Sequence, residues 1–165
     1  MSKHRTLRSF IAWIGVASGT LAAQSPPERP IAFDVLRDFF PPAYVIVEAT
    51  SSCLVLDALL ADTRQRQSRG LMFINRMPDN AAMLFDYREP RPVSMWMKNT
   101  LLPLDIAFLD GAGEIINIAR NTVPLSRRSI AAEAPATYVL ELPAGKADAY
   151  ALQTGSTVHV LGLPR

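Results

Sequence analysis

Between Tyr44 and Leu161 the apolar runs of this chain are short, and Gly, Pro, Asn or Asp stand between most of them. Such punctuation argues against a doubly wound parallel sheet, in which each crossover takes a dozen or more residues, usually a helix. Val45 and Val47 alternate with Ile46 and Glu48, and apolar runs at 54–61, 83–85, 93–98, 104–109, 115–119, 137–142 and 157–161 read as further strands. Asp110-Gly111-Ala112-Gly113 between two of them is a strong hairpin signal. Asp62 is suited to cap a short helix over 63–71, and Gly145 and Gly155 bracket a second over 146–152. The expectation is a single compact, mainly β (α+β) domain over 44–165. Its sheet is strongly curved and mostly antiparallel, or a small barrel, with two short helices.

The ends of the chain read differently. Lys3, His4, Arg5 and Arg8 precede a short apolar stretch at 10–17 and small residues up to Ala22, the pattern of a signal peptide over 1–22. The run falls short of the roughly 20 apolar residues of a membrane-spanning helix, so export with cleavage to a periplasmic or secreted protein is expected. An uncleaved N-terminal anchor is the alternative; no span is expected in the mature form. Pro26, Pro27, Pro30, Pro41 and Pro42 make 23–43 an extended tether with one short helical turn near 34–40.

Charge follows from that division. The whole chain is formally +2, but removing Lys3, Arg5 and Arg8 from its 17 basic residues leaves 14 against 15 acids, net −1. A near-neutral mature protein has no global attraction to nucleic acid. The one cysteine, Cys53, precedes Leu54-Val55-Leu56 and is expected to be partly buried and inert. One cysteine and two histidines exclude a Cys/His zinc site. Five of the six methionines lie between 72 and 97, a set that suits Cu(I) but also core filling. G-x-S-x-G, H-E-x-x-H and a phosphate-binding Gly loop are absent from the sequence, and neither a cofactor nor a resident metal is expected.

Three segments carry chemistry. They are Arg69-Gly70-Leu71-Met72-Phe73, then Met95-Trp96-Met97-Lys98-Asn99-Thr100 running into Pro103-Leu104-Asp105, then Tyr138-Val139-Leu140-Glu141-Leu142 with Gly145. Together they resemble the bacterial and archaeal domain-of-unknown-function family 192 over about 54–161. The resemblance implies a compact, mainly β domain and an exported or membrane-tethered protein, with no established reaction. Asn80-Ala81-Ala82-Met83 departs from the family, which usually has Gly before the Met.

In a strand, Trp96 and Lys98 share one face while Met95 and Met97 share the other. Asp105 and Glu141 each interrupt an apolar strand and need partners; the 98–100 turn is nearest to Asp105, and Arg69 or Lys98 could face Glu141. Seven basic residues against three acids over 64–98 suit an anionic small molecule or glycan, or equally a solvated face, the usual meaning of scattered arginines. The leading expectation is therefore a noncatalytic binding module for a small polar or anionic molecule held by Trp96, Lys98, Asn99, Thr100, Asp105, Glu141 and Arg69. One alternative is an envelope hydrolase or lyase using Asp105 and Glu141 as general acid and base. The other is a purely structural motif, with Trp96 in the core and Asp105 locking the 98–100 turn.

Overall fold

The computed structural model describes residues 32–49 and 52–161; the signal expected over 1–22 lies outside them. A 3-10 helix, Phe33–Asp38, leads into β1 (Pro42–Ala49), β2 (Ser52–Ala61), α1 (Arg64–Arg69) and β3 (Ala81–Arg91). Then follow β4 (Ser94–Met95), β5 (Leu104–Leu109), β6 (Ile115–Ala119), β7 (Ile130–Ala131), β8 (Ala136–Pro143), α2 (Lys146–Ala149) and β9 (Val158–Leu161). Seven strands form one sheet in the order β6-β5-β8-β3-β2-β1-β9, and β4 pairs with β7 apart from it. The pairings are antiparallel except β2 with β3. That one parallel pair is joined by the 62–80 connection, long enough to carry α1 across the sheet.

The sheet curls into a half-barrel. Its two edge strands meet at one end, where Glu114 bridges Thr157. Ile115 N–H donates to Ser156 O and Val158 N–H to Gly113 O, each at 2.9 Å. Asp110 builds the intervening turn, its Oδ1 accepting from Ala112 N–H at 2.8 Å and Glu114 N–H at 2.9 Å. Gly113 makes the close approach feasible: φ is +86°, and a Cβ there would stand 2.2 Å from Val158 O.

Strand alternation sorts the core into two clusters. One contains Val45, Val47, Leu84, Ala107, Leu140 and Leu142 together with Ile115 and Val158, and so fills the concave side between the meeting edges. The other, with Leu59, Met83, Phe85, Ile106, Phe108 and Val139, lies on the convex side. Long connections cover it, which is why both faces of β5 are fully apolar apart from Asp105.

The segment expected to be a tether packs onto the domain from Ala32 onward. Phe33 N–H donates to Arg76 O at 2.9 Å, and Phe33, Leu36 and Phe40 are buried in the convex core. Burying such a side chain stabilises by about 1.5–3 kcal/mol, enough to order a short proline-flanked turn. Pro42 is tolerated because it is the first residue of β1. Other differences are local. Thr63, rather than Asp62, caps α1 through Arg66 N–H, while Asp62 pairs with the Arg66 guanidinium at 2.8 Å. Both helices end sooner than expected, and β3 runs on through polar Asp86–Arg91 by way of a register shift against β8. Cys53 is exposed, where it pairs with Glu48 next to the Ala49–Ser52 end of the β1–β2 pair.

Gly113→Ala should lower unfolding free energy by about 2 kcal/mol or more, since strain and a clash with Val158 O combine. Gly145→Ala, with φ +83° but nothing within 4 Å, should show only the backbone cost, about 1–2 kcal/mol. Denaturant titration compares them; equal losses would show that edge closure is not what Gly113 serves.

Candidate functional site

The three informative segments converge on the convex face. Phe85, Tyr87 and Glu141 present their side chains from the sheet as a floor. The end of α1 with the following turn, Gln67 to Met72, and the segment 94–96 with Thr100 stand over it. They enclose a cavity of about 110 Å³.

Glu141 is its most unusual group. Register places it between Met83 of β3 and Ile106 of β5, both fully buried. Its carboxyl is almost wholly shielded, and among the described residues it makes neither an ion pair nor a hydrogen bond. Burial pushes its pKa up to about 8, so at neutral pH it is a carboxylic acid with an O–H to donate. Tyr87 is also pushed up, to about 12, by burial first and then by Glu141, which is ionised where Tyr87 titrates. The Tyr87 hydroxyl reaches Met95 Sδ at 3.6 Å.

Cations ring this floor, each on an aromatic face. The Arg69 guanidinium lies 5.2 Å from the Phe73 ring centre, Arg91 5.6 Å from that of Tyr87, and Lys98 Nζ 5.0 Å from that of Trp96. Arg69 also donates to Met72 O, which fixes the turn after α1. Among the described residues none of the three cations has a carboxylate partner. Trp96 is 50% exposed and borders a second, shallower groove of about 360 Å³ shared with Ser94, Met95, Arg127 and Ser129.

Of the expected site residues, Arg69, Trp96, Thr100 and Glu141 therefore line one cavity, and Lys98 stacks at its rim. Trp96 is not a core ring. Asn99 lies outside the cavity; it takes a left-handed conformation, φ +58°, and its carbonyl accepts from Phe73 N–H at 2.8 Å. Asp105 does not anchor the 98–100 turn. It shares the concave parity of Ala107, where Oδ1 accepts from Asn121 N–H and Oδ2 from Ala147 N–H, both at 2.9 Å. Asp105 and Glu141 consequently occupy opposite faces of the sheet, and the two-carboxylate acid–base pair fails on geometry. Four of the five clustered methionines are accounted for by packing. Met83 and Met97 are buried, and Met72 and Met95 receive Asn99 and Tyr87 as weak donors. His159, the only histidine among the described residues, sits on the edge strand against Glu48 at 2.7 Å. Tyr87, Arg91 and Gln67 are the members missed in the sequence; Tyr87 follows from the parity of Phe85 once β3 is extended through Arg91.

The profile of the family DUF192, described as Uncharacterized ACR, matches residues 45–160. A crystal structure from Sinorhizobium meliloti 1021, of a protein named only tentatively in print as a transcription regulator, is 38% identical with a TM-score of 0.72. That match covers 75% of this chain and 97% of the other. A protein of unknown function from Novosphingobium aromaticivorans DSM 12444 is 31% identical with a TM-score of 0.71, covering 88% and 99%. Among curated proteins none matches the chain.

Two outcomes test the two carboxyl groups. Asp105→Asn places an amide donor against a backbone N–H and should lower stability by about 1–3 kcal/mol. For Glu141 the folded pKa is raised, so the folded state holds a proton that the unfolded chain releases above pH 4.5. Its contribution is complete below that pH and is lost as pH rises toward about 8, with a slope approaching about 1.4 kcal/mol per pH unit. In Glu141→Gln that descending limb should vanish from the stability–pH curve; an unaltered curve would show that Glu141 is ionised in the folded protein.

Proposed function

The chain belongs to domain-of-unknown-function family 192, and within it we propose a noncatalytic binding module that takes a small anionic molecule into the cavity beside Trp96. The observation that carries this reading is a buried carboxyl without a hydrogen-bond or ion-pair partner at the floor of a cavity lined by Arg69 and Trp96, with Lys98 stacked on the Trp96 ring and neither cation paired with a carboxylate. A ligand oxygen accepts from the Glu141 O–H, its negative charge is met by Arg69 and Lys98, and Trp96 supplies an apolar wall. The cavity, at about 110 Å³, admits one carboxylate- or hydroxyl-bearing fragment, and a larger molecule would extend along the groove beyond Trp96. The basic head, apolar stretch and small residues before Ala23 support export, so this binding takes place in the cell envelope or outside the cell.

Trp96 fluorescence in a Trp13→Phe background follows binding directly. A panel of small hydroxy acids and uronic acids should contain members that change it saturably. Affinity should fall as pH passes about 8, where Glu141 loses its donor and gains a repelling charge. Glu141→Gln keeps a donor and should abolish that pH dependence, whereas Glu141→Leu should weaken binding by about tenfold or more. A panel that leaves Trp96 unchanged at millimolar concentration, or a Glu141→Leu variant that binds as well as the parent, would refute the reading.

A further inference from the structure

Outside the cavity, three loops are stitched together by their backbones. Phe73 N–H donates to Asn99 O at 2.8 Å, Leu125 N–H to Thr100 O at 3.0 Å, and Met97 N–H to Ser126 O at 3.0 Å. On these loops stand Phe73, Trp96, Leu101, Val123 and Leu125, exposed by 47, 50, 42, 69 and 57%. They are half of the large exposed apolar side chains among the described residues, gathered on one small part of the surface. Scattered singly they would need no explanation; adjacent on hydrogen-bonded loops they mark an interaction surface.

Two of these residues hold conformations that their side chains disfavour. Phe73 has φ +66° and Leu125 φ +62°, where Gly or Asn would sit without strain. Neither gains core burial in return. The charge around them is of one sign. Segments 69–74, 96–102 and 121–128 contain Arg69, Lys98, Arg127 and Arg128 and not one Asp or Glu. Bulky apolar tips on segments whose only charges are cations match the chemistry of an anionic lipid bilayer, with side chains in the interfacial layer and charges at the headgroups.

We propose that the 69–74, 96–102 and 121–128 loops form a docking surface for anionic membrane, inserting Phe73, Trp96, Leu101, Val123 and Leu125 at the headgroup level. The surface goes beyond the cavity reading, sharing Arg69, Trp96 and Lys98 with it but not Glu141, and adding Phe73, Leu101, Val123, Leu125, Arg127 and Arg128. It commits to lipid over a protein partner because the three segments carry cations and no acid, the charge complement of anionic headgroups.

The test uses the full chain carrying Trp13→Phe, so that Trp96 alone reports contact at this surface whatever the N-terminal segment does. It is mixed with phosphatidylcholine vesicles, with and without about one-third phosphatidylglycerol. Trp96 emission should shift to the blue and be quenched by lipids brominated along their chains, on the anionic vesicles only, and high salt should reverse both. Leu125→Asn should keep or raise the melting temperature, relieving strain, while weakening vesicle binding by Trp96 quenching about tenfold. Arg127→Ala should weaken it about fivefold. The proposal is overturned if Trp96 stays unquenched while the protein sediments with vesicles, if neutral vesicles serve as well, or if Leu125→Asn binds like the parent. A surface that serves a partner protein instead would leave Trp96 unquenched on both vesicle types, which likewise overturns the proposal.

Discussion

Two backbone N–H groups, from Asn121 and Ala147, end on one buried carboxylate, Asp105. These donors come from distant parts of the chain, and tying them to the middle of β5 places both. Ala147 is the second residue of α2, and it packs on the concave core with Leu152. Asn121 opens the loop whose Thr122 donates to Leu104 O at 2.9 Å and whose Leu125 reaches Thr100. The wall of the convex site is thus located from the other side of the sheet. An isolated buried carboxylate would be costly; one receiving two amide donors is a fixed point.

Glu141 shows the same chemistry left unresolved. It pairs in register with Ile106, the residue after Asp105, yet it points the opposite way and finds no donor. The sheet meets the cost by keeping the group neutral, which is why a strand otherwise suited to the core contributes a proton donor to a cavity. One strand position therefore separates an acid held by two backbone donors from one left without any.

What the sequence made legible was local. The 110–113 hairpin and the α2 start at Gly145 are written in adjacent residues, and both stand. The strand expected over 93–98 is only Ser94–Met95, and Lys98 lies in the turn that follows, so its stacking on Trp96 comes from that turn and not from strand parity. Distant pairings were not legible. Asp105 looked toward the nearest turn, but its partners lie 16 and 42 residues away. Residues 86–91 are too polar to read as strand, because their place depends on β8, and with them Tyr87 and Arg91 escaped notice. The Pro-rich approach to β1 hid three core side chains, since packing outweighs the propensity that prolines signal.

The order of the sheet has a kinetic meaning. β1, the first strand, has β9, the last, as its outer neighbour, and β8 holds β3 and β5 together at the centre. Only the β1–β2 and β5–β6 pairs can form from neighbouring sequence. Everything else waits for loops to close over much of the chain, with an entropic cost that comes before the reward of burial. A chain with this topology emerges from the ribosome as two hairpins in search of a middle. It becomes a domain only when residues near 160 arrive to cover its first strand.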